Sequence, residues 1–392
     1  MQTSLRARLH DDLRRVPAWA WDVVLAITAL AMVVSSGAAT KTDWSYYDAG
    51  QRLLFGDDGL RIYALHPVYQ IGPLGLGLAK VIAAVPGDGR LWDAAVLSAL
   101  LVPVLALTRR LVSIARPEGL ATSTYVLGWL VIGFGWFPLV AIGQLGDALA
   151  LLGALGAMLL LVRHRPELAG VAFGLGCAAK PWILVLLPLL LFARSRDLVR
   201  AAAAAAVVGV LTWGPFVLAA PGTLRAARPT FFVPTNDWQR LVGVGDGAPS
   251  WWRTAQLLVC WGVGLAMWAR TRGEPDQLVG LLATAGVLSL IRLLTDLGTW
   301  PYYVTVALPL VLLADVATRA RRVPWPTLVA FLPILALGAL MGDVGEAAYR
   351  VLSLLVALVL LGRAWWVTTS PVAGTGRGGG RIVPEGSASG SS

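Results

Sequence analysis

Long apolar runs, separated by short polar breaks, fill most of the chain between residues 18 and 366. Most runs are long enough for an α-helix to cross about 30 Å of hydrocarbon, and they lack the alternation of apolar and polar residues that a membrane β-barrel requires. The pattern predicts helices at residues 18–38, 91–108, 121–141, 145–162, 167–179, 180–193, 198–220, 251–270, 277–295, 299–317, 324–342 and 347–366. We therefore predict an all-α polytopic membrane protein with about 10 to 12 transmembrane helices.

Two neighbouring runs, 167–179 and 180–193, are too short to cross a membrane individually. They meet at Lys180-Pro181, where the proline lacks the N–H group that a continuous helix needs. The sequence thus predicts a short, broken pair of helices that goes out and returns, with Lys180 at the junction.

The composition agrees with this class of protein. Hydrophobic residues make up 57% of the 392 residues, charged residues make up 14%, and the mean hydropathy is +0.70. A soluble domain cannot sustain these values because it could not bury so much apolar surface. The net charge of +10 is explained by retention of basic residues at the cytoplasmic face and by anionic lipids, so it gives no reason to expect a nucleic acid partner.

Arginines mark alternate breaks between the runs. The cytoplasmic ends of transmembrane helices retain Lys and Arg, so these breaks are predicted to face the cytoplasm. The basic breaks contain Arg6, Arg8, Arg14 and Arg15; Arg109, Arg110 and Arg116; Arg163 and Arg165; Arg194, Arg196 and Arg200; Arg270 and Arg272; and Arg319, Arg321 and Arg322. Both termini are then cytoplasmic, and the two longest outward connections are residues 39–90 and 221–250.

A single transmembrane domain is predicted over residues 18–366. It follows a basic cytoplasmic N-terminus, residues 1–17, and its first run resembles a retained signal anchor. Residues 367–392 are rich in Gly and Ser, and we predict that they form a disordered tail or an appended remnant.

The first outward loop contains the strongest candidate for chemistry. Residues 43–55 predict a helix lying in the membrane interface, on which Asp43 and Tyr47 share one face. Asp48 and Arg52 are spaced to form a salt bridge on this helix. Asp43 has no such local partner and stands where a lipid-borne substrate would meet water. It is either the helix N-cap or a carboxylate that can accept a proton.

Polar residues at the outer ends of other runs are further candidates. Gln144 and Asp147 begin an apolar run, and Lys180 places a cation between the two short helices. Packing between helices and a lysine that reaches for the interface are the structural alternatives.

Two later outward segments combine polar and aromatic residues. Asp296 precedes an elbow that contains Trp300 and Tyr302, for which an interfacial aromatic belt is the structural alternative. The second long loop mixes aromatic rings, amides and charges in a way that suits a sugar acceptor. Its candidate residues are Asn236, Asp237 and Arg240.

Several of these residues occur in a recognisable order, which is Asp43-Trp44-Ser45-Tyr46-Tyr47, Gly56, Tyr63, Gly72-Pro73, Gly143-Gln144, and the run 169–181 that ends in Lys180-Pro181. In this order they resemble glycosyltransferase family 87 over roughly residues 40–315. Members of that family have the C-type glycosyltransferase fold and use polyprenyl-phosphate sugars, typically polyprenyl phosphomannose, outside the bacterial membrane. The resemblance implies that Asp43 is the catalytic base. The chain departs from the family pattern at Asp147, where members usually have Asn, and around Trp300, where many have Ser-Pro-x-Ser-Trp followed by His.

Sugar transfer from a polyprenyl phosphate requires a base for the acceptor hydroxyl and cationic groups for the departing phosphate. Asp43 is expected to be the base, and direct displacement would invert the anomeric centre. The expected phosphate ligands are Lys180 and one of Arg52, Arg61 or Arg240. The chain has no Asp-x-Asp motif and no histidine pair at ligand spacing, so we expect neither a metal nor another cofactor.

The expected partners are a polyprenyl-phosphate sugar donor, a lipid or glycan acceptor, and membrane lipids. Substrate contacts are predicted from Tyr47, Gln144, Asp147, Asn236, Asp237, Asp296, Trp300 and Tyr302. The alternatives are a pentosyl (arabinofuranosyl) transferase of the same fold, a transporter or lipid-linked sugar flippase, and a purely structural membrane partner. The paired short helices also suit a transporter, although the two halves of the chain show no inverted repeat.

Overall fold

The computed structural model describes residues 17–37, 43–56, 58–116, 122–227, 251–272, 277–296, 301–318, 324–336 and 343–369. All regular secondary structure within these ranges is helical. The α-helices are α1 Ala18–Ser35, α2 Trp44–Leu54, α3 Ile62–Leu65, α4 Pro73–Ala83, α5 Gly89–Ala115, α6 Thr122–Gly135, α7 Phe137–Ile142, α8 Leu145–Val162, α9 Pro166–Ala179, α10 Ser195–Ala219, α11 Trp252–Thr271, α12 Gln277–Thr295, α13 Pro301–Thr318, α14 Trp325–Ala336 and α15 Asp343–Thr369. The 3₁₀ segments are Gly59–Arg61, Pro181–Phe192 and Pro221–Ala227.

Six helices in the described part of the chain are long and apolar enough to cross a membrane. They are α1, α5, α8, α10, α12 and the Arg350–Thr369 part of α15. Helix α10 leaves large apolar side chains such as Val210, Leu211 and Leu218 exposed, and lipid tails would cover such a surface without cost. This architecture is the one expected of a polytopic membrane protein.

The predicted boundaries agree with the structure for two of the apolar runs. Helices α8 and α12 cover the predicted residues 145–162 and 277–295. The predicted helix 121–141 is instead divided into α6 and α7, and Pro138, which has no N–H to donate, lies in the first turn of α7.

The second half of the short pair differs from a regular α-helix. Residues Pro181–Phe192 form a 3₁₀ segment, which is unusually long for this conformation. In a 3₁₀ segment Pro188 cannot donate to the carbonyl of Val185. The Trp261 indole N–H donates to the neighbouring Leu184 carbonyl, at 2.8 Å. The segment after the break at Lys180 is therefore hydrogen-bonded to another helix.

Close helix packing around α9 brings the short pair into the centre of the bundle. Helix α9 packs against both α8 and α10. A Cβ atom on Gly153 of α8 would lie 2.7 Å from the Ala172 carbonyl oxygen, and one on Gly170 of α9 would lie 2.1 Å from the Ala201 carbonyl oxygen. These glycines allow the backbones to approach closely, as small residues do between helices in membranes.

The loop that contains α2, α3 and α4 covers one end of this bundle. Helix α4 packs against α2, α5, α8 and α9. The N–H of Gly72, just before α4, donates to the Ala179 carbonyl oxygen at 2.9 Å. This bond joins the loop to the end of α9, beside the helix break.

Gly72 has no room for a side chain. An added Cβ would lie 2.1 Å from the Ala178 carbonyl oxygen, which is backbone and cannot rotate away. We expect Gly72→Ala to destabilise the protein by about 1–3 kcal/mol, because the loop must separate from α9. Thermal unfolding in detergent measures this effect. Gly77→Ala is the matched control, because a Cβ on Gly77 of α4 meets nothing within 4 Å, and equal unfolding temperatures of the two variants would contradict the prediction.

Candidate functional site

Asp43 lies at the N-cap position of α2, but its carboxylate does not cap the helix. The backbone carbonyl of Asp43 accepts from the N–H groups of Tyr46 and Tyr47, at 2.9 and 3.1 Å, whereas its side chain makes no capping bond. The carboxylate instead accepts a short hydrogen bond from the Gln144 amide through Oδ2. Capping therefore does not account for the presence of an acid at position 43.

Gln144 is held at a sharp turn between α7 and α8. Gly143 ends α7 with a φ of 83°, a left-handed conformation that glycine adopts without strain. Gln144 follows it immediately before α8, and its side chain is buried. Its Nε2 donates to Asp43, while its Oε1 accepts from Lys180 Nζ at 3.0 Å. The amide thus connects a carboxylate to an ammonium group.

Lys180 stands at the break that the sequence predicts. Its backbone is extended, because the following Pro181 disfavours helical geometry at the preceding residue. Its Nζ donates to Asp147 Oδ2 at 2.5 Å and lies 5.5 Å from the centre of the Tyr302 ring. The side chain of Lys180 is 13% exposed, whereas that of Asp147 is fully buried.

These contacts define a cluster that consists of Asp43, Gln144, Asp147 and Lys180, which we call the catalytic cluster after the role proposed for it below. Its members come from three separate segments, and three hydrogen bonds join them in the order Asp43, Gln144, Lys180, Asp147. The cluster contains two carboxylates and one ammonium group. Asp147 Oδ1 is buried and has no hydrogen-bond partner among the residues that the structure describes, so Lys180 is the group there that compensates the buried charge of Asp147.

Tyr47 holds the start of α8, the helix that carries Asp147 of the cluster. Its ring is buried, and its hydroxyl oxygen accepts the N–H of Gly146 at 2.9 Å, which fixes the first turn of α8. Burial raises the pKa of the Tyr47 phenol well above its ordinary value, and the charges of Asp147, Asp93 and Asp43 raise it further. The phenol therefore remains neutral and acts here as a structural hydrogen-bond acceptor.

Burial also raises the pKa of Asp43 above its ordinary value. The positive charge of Lys180 and the hydrogen bond from Gln144 lower this pKa, and the charge of Asp147 raises it. A carboxylate with a raised pKa is a better proton acceptor than an exposed aspartate, which is the property that a general base needs.

Two of the arginines predicted to bind phosphate, Arg52 and Arg61, lie in the described part of the chain but are not bonded to the cluster. Arg52 pairs with Asp48 at 2.7 Å, as its spacing predicts, and its side chain is 74% exposed. Arg61 ends the 3₁₀ turn Gly59–Arg61 and is exposed. Among the described residues, neither arginine forms a hydrogen bond or ion pair with the catalytic cluster. The remaining candidates Asn236, Asp237, Arg240 and Trp300 lie outside the described residues.

Asp296 lies in a second group of polar and aromatic residues, near the ends of α11, α12 and α13. Arg253 Nη1 donates to Asp296 Oδ1 at 2.6 Å, and Arg292 Nε lies 3.5 Å from Asp296 Oδ2. The guanidinium of Arg292 lies over the rings of Trp182 and Tyr303, at 4.2 and 4.6 Å from their centres. We call Arg253, Arg292, Asp296, Trp182 and Tyr303 the arginine cluster.

Arg253 and Arg292 are not among the residues that the sequence predicts for the site. Both lie in apolar runs, at ends that are predicted to face outward, where the cytoplasmic retention of basic residues gives no reason for an arginine. An arginine at such an end is the feature of the sequence that points to these two residues.

Asp93 is a third residue that the sequence analysis did not select. It lies in the second turn of α5 and is 1% exposed, and neither carboxylate oxygen has a hydrogen-bond partner in the described part of the chain. The feature of the sequence that points to Asp93 is an acidic residue at the third position of the predicted apolar run 91–108. Its charge acts on Tyr47, which places it close to the catalytic cluster.

A metal centre finds no support in the described residues, among which no group of three or more His, Cys, Asp or Glu side chains is arranged to hold an ion. Metal independence stays a prediction. The cluster can accept a proton at Asp43 and offer an N–H donor at Lys180, and these two functions are the ones that group transfer to a hydroxyl requires.

Comparisons with protein-family models, with curated proteins and with solved structures find no match to this chain. The chemistry of the site is therefore the basis for a functional assignment.

Proposed function

We propose that the protein is an inverting glycosyltransferase of the C-type fold. It moves a sugar, expected to be mannose, from a polyprenyl-phosphate donor to a lipid or glycan acceptor at the outer face of the cytoplasmic membrane. The observation that carries this proposal is the Asp43 carboxylate, which lies at a helix start without capping it and is held by Gln144 beside Lys180.

In the proposed reaction, the acceptor hydroxyl oxygen attacks the anomeric carbon of the donor sugar. Asp43 takes the hydroxyl proton as the new carbon–oxygen bond forms. The bond from the anomeric carbon to the phosphate oxygen breaks on the opposite face, and polyprenyl phosphate leaves with the electron pair. One displacement inverts the anomeric centre, so no second carboxylate is required as a nucleophile.

Lys180 is suited both to contact the substrate and to orient the base. An ammonium group has three N–H donors, and Gln144 and Asp147 accept two of those of Lys180. The third has no acceptor in the described part of the chain and can reach a substrate oxygen. Through Gln144, Lys180 also fixes the orientation of the amide that donates to Asp43, so it acts as a positioning residue as well as an electrostatic one.

The membrane orientation in this proposal comes from the arginine pattern. The catalytic cluster lies at helix ends that are opposite to the basic breaks, for example at the start of α8, whereas Arg163 and Arg165 follow its end. A substrate carried by a lipid would reach these ends from the outer leaflet.

The experiment that tests the proposal measures release of polyprenyl phosphate from radiolabelled polyprenyl phosphomannose by the purified protein, with a membrane lipid extract as the source of acceptors. Turnover supports the proposal. A protein that turns over polyprenyl phosphoarabinose instead is the pentosyl transferase. A protein that moves the intact donor across a vesicle membrane without cleaving it is a flippase, for which the buried Lys180–Asp147 pair at a helix break is the supporting observation.

The pH dependence of transfer follows from the raised pKa of Asp43. The base must be unprotonated, so the rate falls as the pH drops through the pKa of Asp43. Because burial raises that pKa, we expect the acidic limb of kcat/KM to lie above pH 3.8, the ordinary aspartate value. Asp48→Asn, which removes an acid outside the cluster, should leave the limb in place. A limb at or below pH 3.8 would contradict the role of Asp43.

A further inference from the structure

We infer that Arg253 and Arg292 form an anion site that binds the phosphate group of the lipid-linked substrate. The identification of the ligand as a substrate rests on the proposed function. The existence of an anion site rests on the arginine cluster alone, and the two can be tested separately.

The arginine cluster contains more positive than negative charge. Two guanidinium groups face one carboxylate, and the side chains of Arg292 and Asp296 are almost completely buried, at 4% and 2% exposure. Burying a net charge is costly unless a counterion compensates it. The catalytic cluster, which has one more carboxylate than ammonium groups, lies on the other side of Tyr302 and Tyr303. An anion that enters beside the two arginines would compensate their charge directly.

Arg292 also has unused hydrogen-bonding capacity. Its side chain forms the ion pair with Asp296 but makes no hydrogen bond to any residue that the structure describes, and its Nε is buried without a hydrogen-bond partner. A guanidinium has more N–H donors than one shared carboxylate can accept, and their planar arrangement matches a phosphate. Trp182 and Tyr303 cover the guanidinium by cation–π contacts, so the edge is the part that is left to bind a ligand.

Arg253 is the more exposed arginine of the cluster. Its Nη1 is held by Gln256 Oε1 at 3.0 Å and by Asp296 Oδ1 at 2.6 Å, and its side chain is 22% exposed, against 4% for Arg292. The guanidinium of Arg253 is thus fixed in orientation. A preorganised arginine loses little conformational entropy when it binds an anion.

The arginine cluster is connected to the catalytic cluster through two adjacent tyrosines. Lys180 Nζ lies over the Tyr302 ring, the rings of Tyr302 and Tyr303 are 4.7 Å apart, and Arg292 lies over Tyr303. The inference places the phosphate of one substrate at the arginines and its sugar toward Asp43, on either side of these tyrosines. This arrangement separates the departing negative charge from the base.

The test measures binding of polyprenyl monophosphate, the product of the proposed reaction, to the full protein in lipid nanodiscs. We expect Arg253→Gln and Arg292→Gln each to raise the Kd about tenfold or more, since each removes a charge-assisted hydrogen bond. Arg270→Gln is the matched control. Arg270 lies at the opposite end of α11 and stacks on Trp366 at 3.6 Å. The Arg270→Gln variant therefore also loses a cation–π contact, but at a position away from the proposed site. Its Kd should equal that of the wild type.

Asp296→Asn makes the test independent of folding losses in the arginine variants. It removes the carboxylate that competes with a phosphate for the two guanidinium groups, so an anion site should bind polyprenyl monophosphate more tightly, by about threefold or more. Unchanged or weaker binding by Asp296→Asn, together with wild-type binding by both arginine variants, would show that the arginine cluster is only a structural ion pair.

Two further ligands separate the possible sources of the phosphate. Binding of inorganic phosphate to the wild type but to neither arginine variant supports the anion site. The difference between its Kd and that of polyprenyl monophosphate measures the affinity that the polyprenyl chain adds. Phosphatidylglycerol that displaces polyprenyl monophosphate at equal concentration would overturn the assignment to a substrate.

If the wild type turns over a donor while both arginine variants bind the product normally, this inference fails alone. If arginine-dependent binding occurs and no donor is turned over, the proposed function fails alone.

Discussion

Replacing Asp43 by asparagine should reduce sugar transfer by about two orders of magnitude or more and leave the fold unchanged. Asparagine has nearly the same size, and its amide oxygen can still accept the hydrogen bond from Gln144. It cannot accept a proton from the acceptor hydroxyl. Release of labelled polyprenyl phosphate by the purified variant measures the loss, and the thermal unfolding midpoint shows that the fold is retained.

Asp48→Asn is the matched control for this prediction. Asp48 is on the same helix, but it pairs with the exposed Arg52 and is not part of the catalytic cluster. This control should transfer sugar at nearly the wild-type rate. Equal turnover by Asp43→Asn and the wild type would move the base to another residue, with the buried Asp93 as the next candidate.

Replacing Lys180 by methionine should reduce both stability and activity. The variant leaves the fully buried carboxylate of Asp147 without its cation, and removing one partner of a buried pair typically costs about 3–5 kcal/mol. Activity should also fall, because Gln144 loses the donor that orients its amide toward Asp43. Thermal unfolding and donor turnover measure the two effects.

A double variant separates these two roles of Lys180. Lys180→Met combined with Asp147→Leu removes both charges, and replacing a buried ion pair by apolar residues is often neutral or stabilising. We expect stability to return and activity to stay low. Lys80→Met is the control, since Lys80 is an exposed lysine over the Phe55 ring and should affect neither quantity strongly. If the double variant regains activity together with stability, Lys180 has only a structural role.

Sequence alone was sufficient for the helices whose formation depends on local pattern. Helices α8 and α12 are continuous apolar runs bounded by polar residues, and their ends follow from the run itself. The 3₁₀ segment after Lys180 was not predictable in the same way. Its Leu184 carbonyl accepts from the Trp261 indole, 77 residues further along the chain, and no local pattern records such a contact.

The residues of the catalytic cluster were each identifiable, but their connections were not. Asp43, Gln144, Asp147 and Lys180 all stand out as polar residues at the edges of apolar runs. Which of them share a hydrogen bond depends on how α2, α8 and α9 approach one another. Asp147 and Tyr47, for which substrate contact stays a prediction, are buried and bond to Lys180 and Gly146.

Gly72 offers a way to recognise related chains. Other acidic or basic residues could replace Asp43 and Lys180 and change the chemistry of the site, since side chains of different lengths can reach the same point. The backbone contact at Gly72 allows no such exchange, because any other side chain would collide with the Ala178 carbonyl. A chain that packs its first loop onto a broken helix in this manner should therefore retain a glycine before the proline of α4, even where the chemistry of its site has changed.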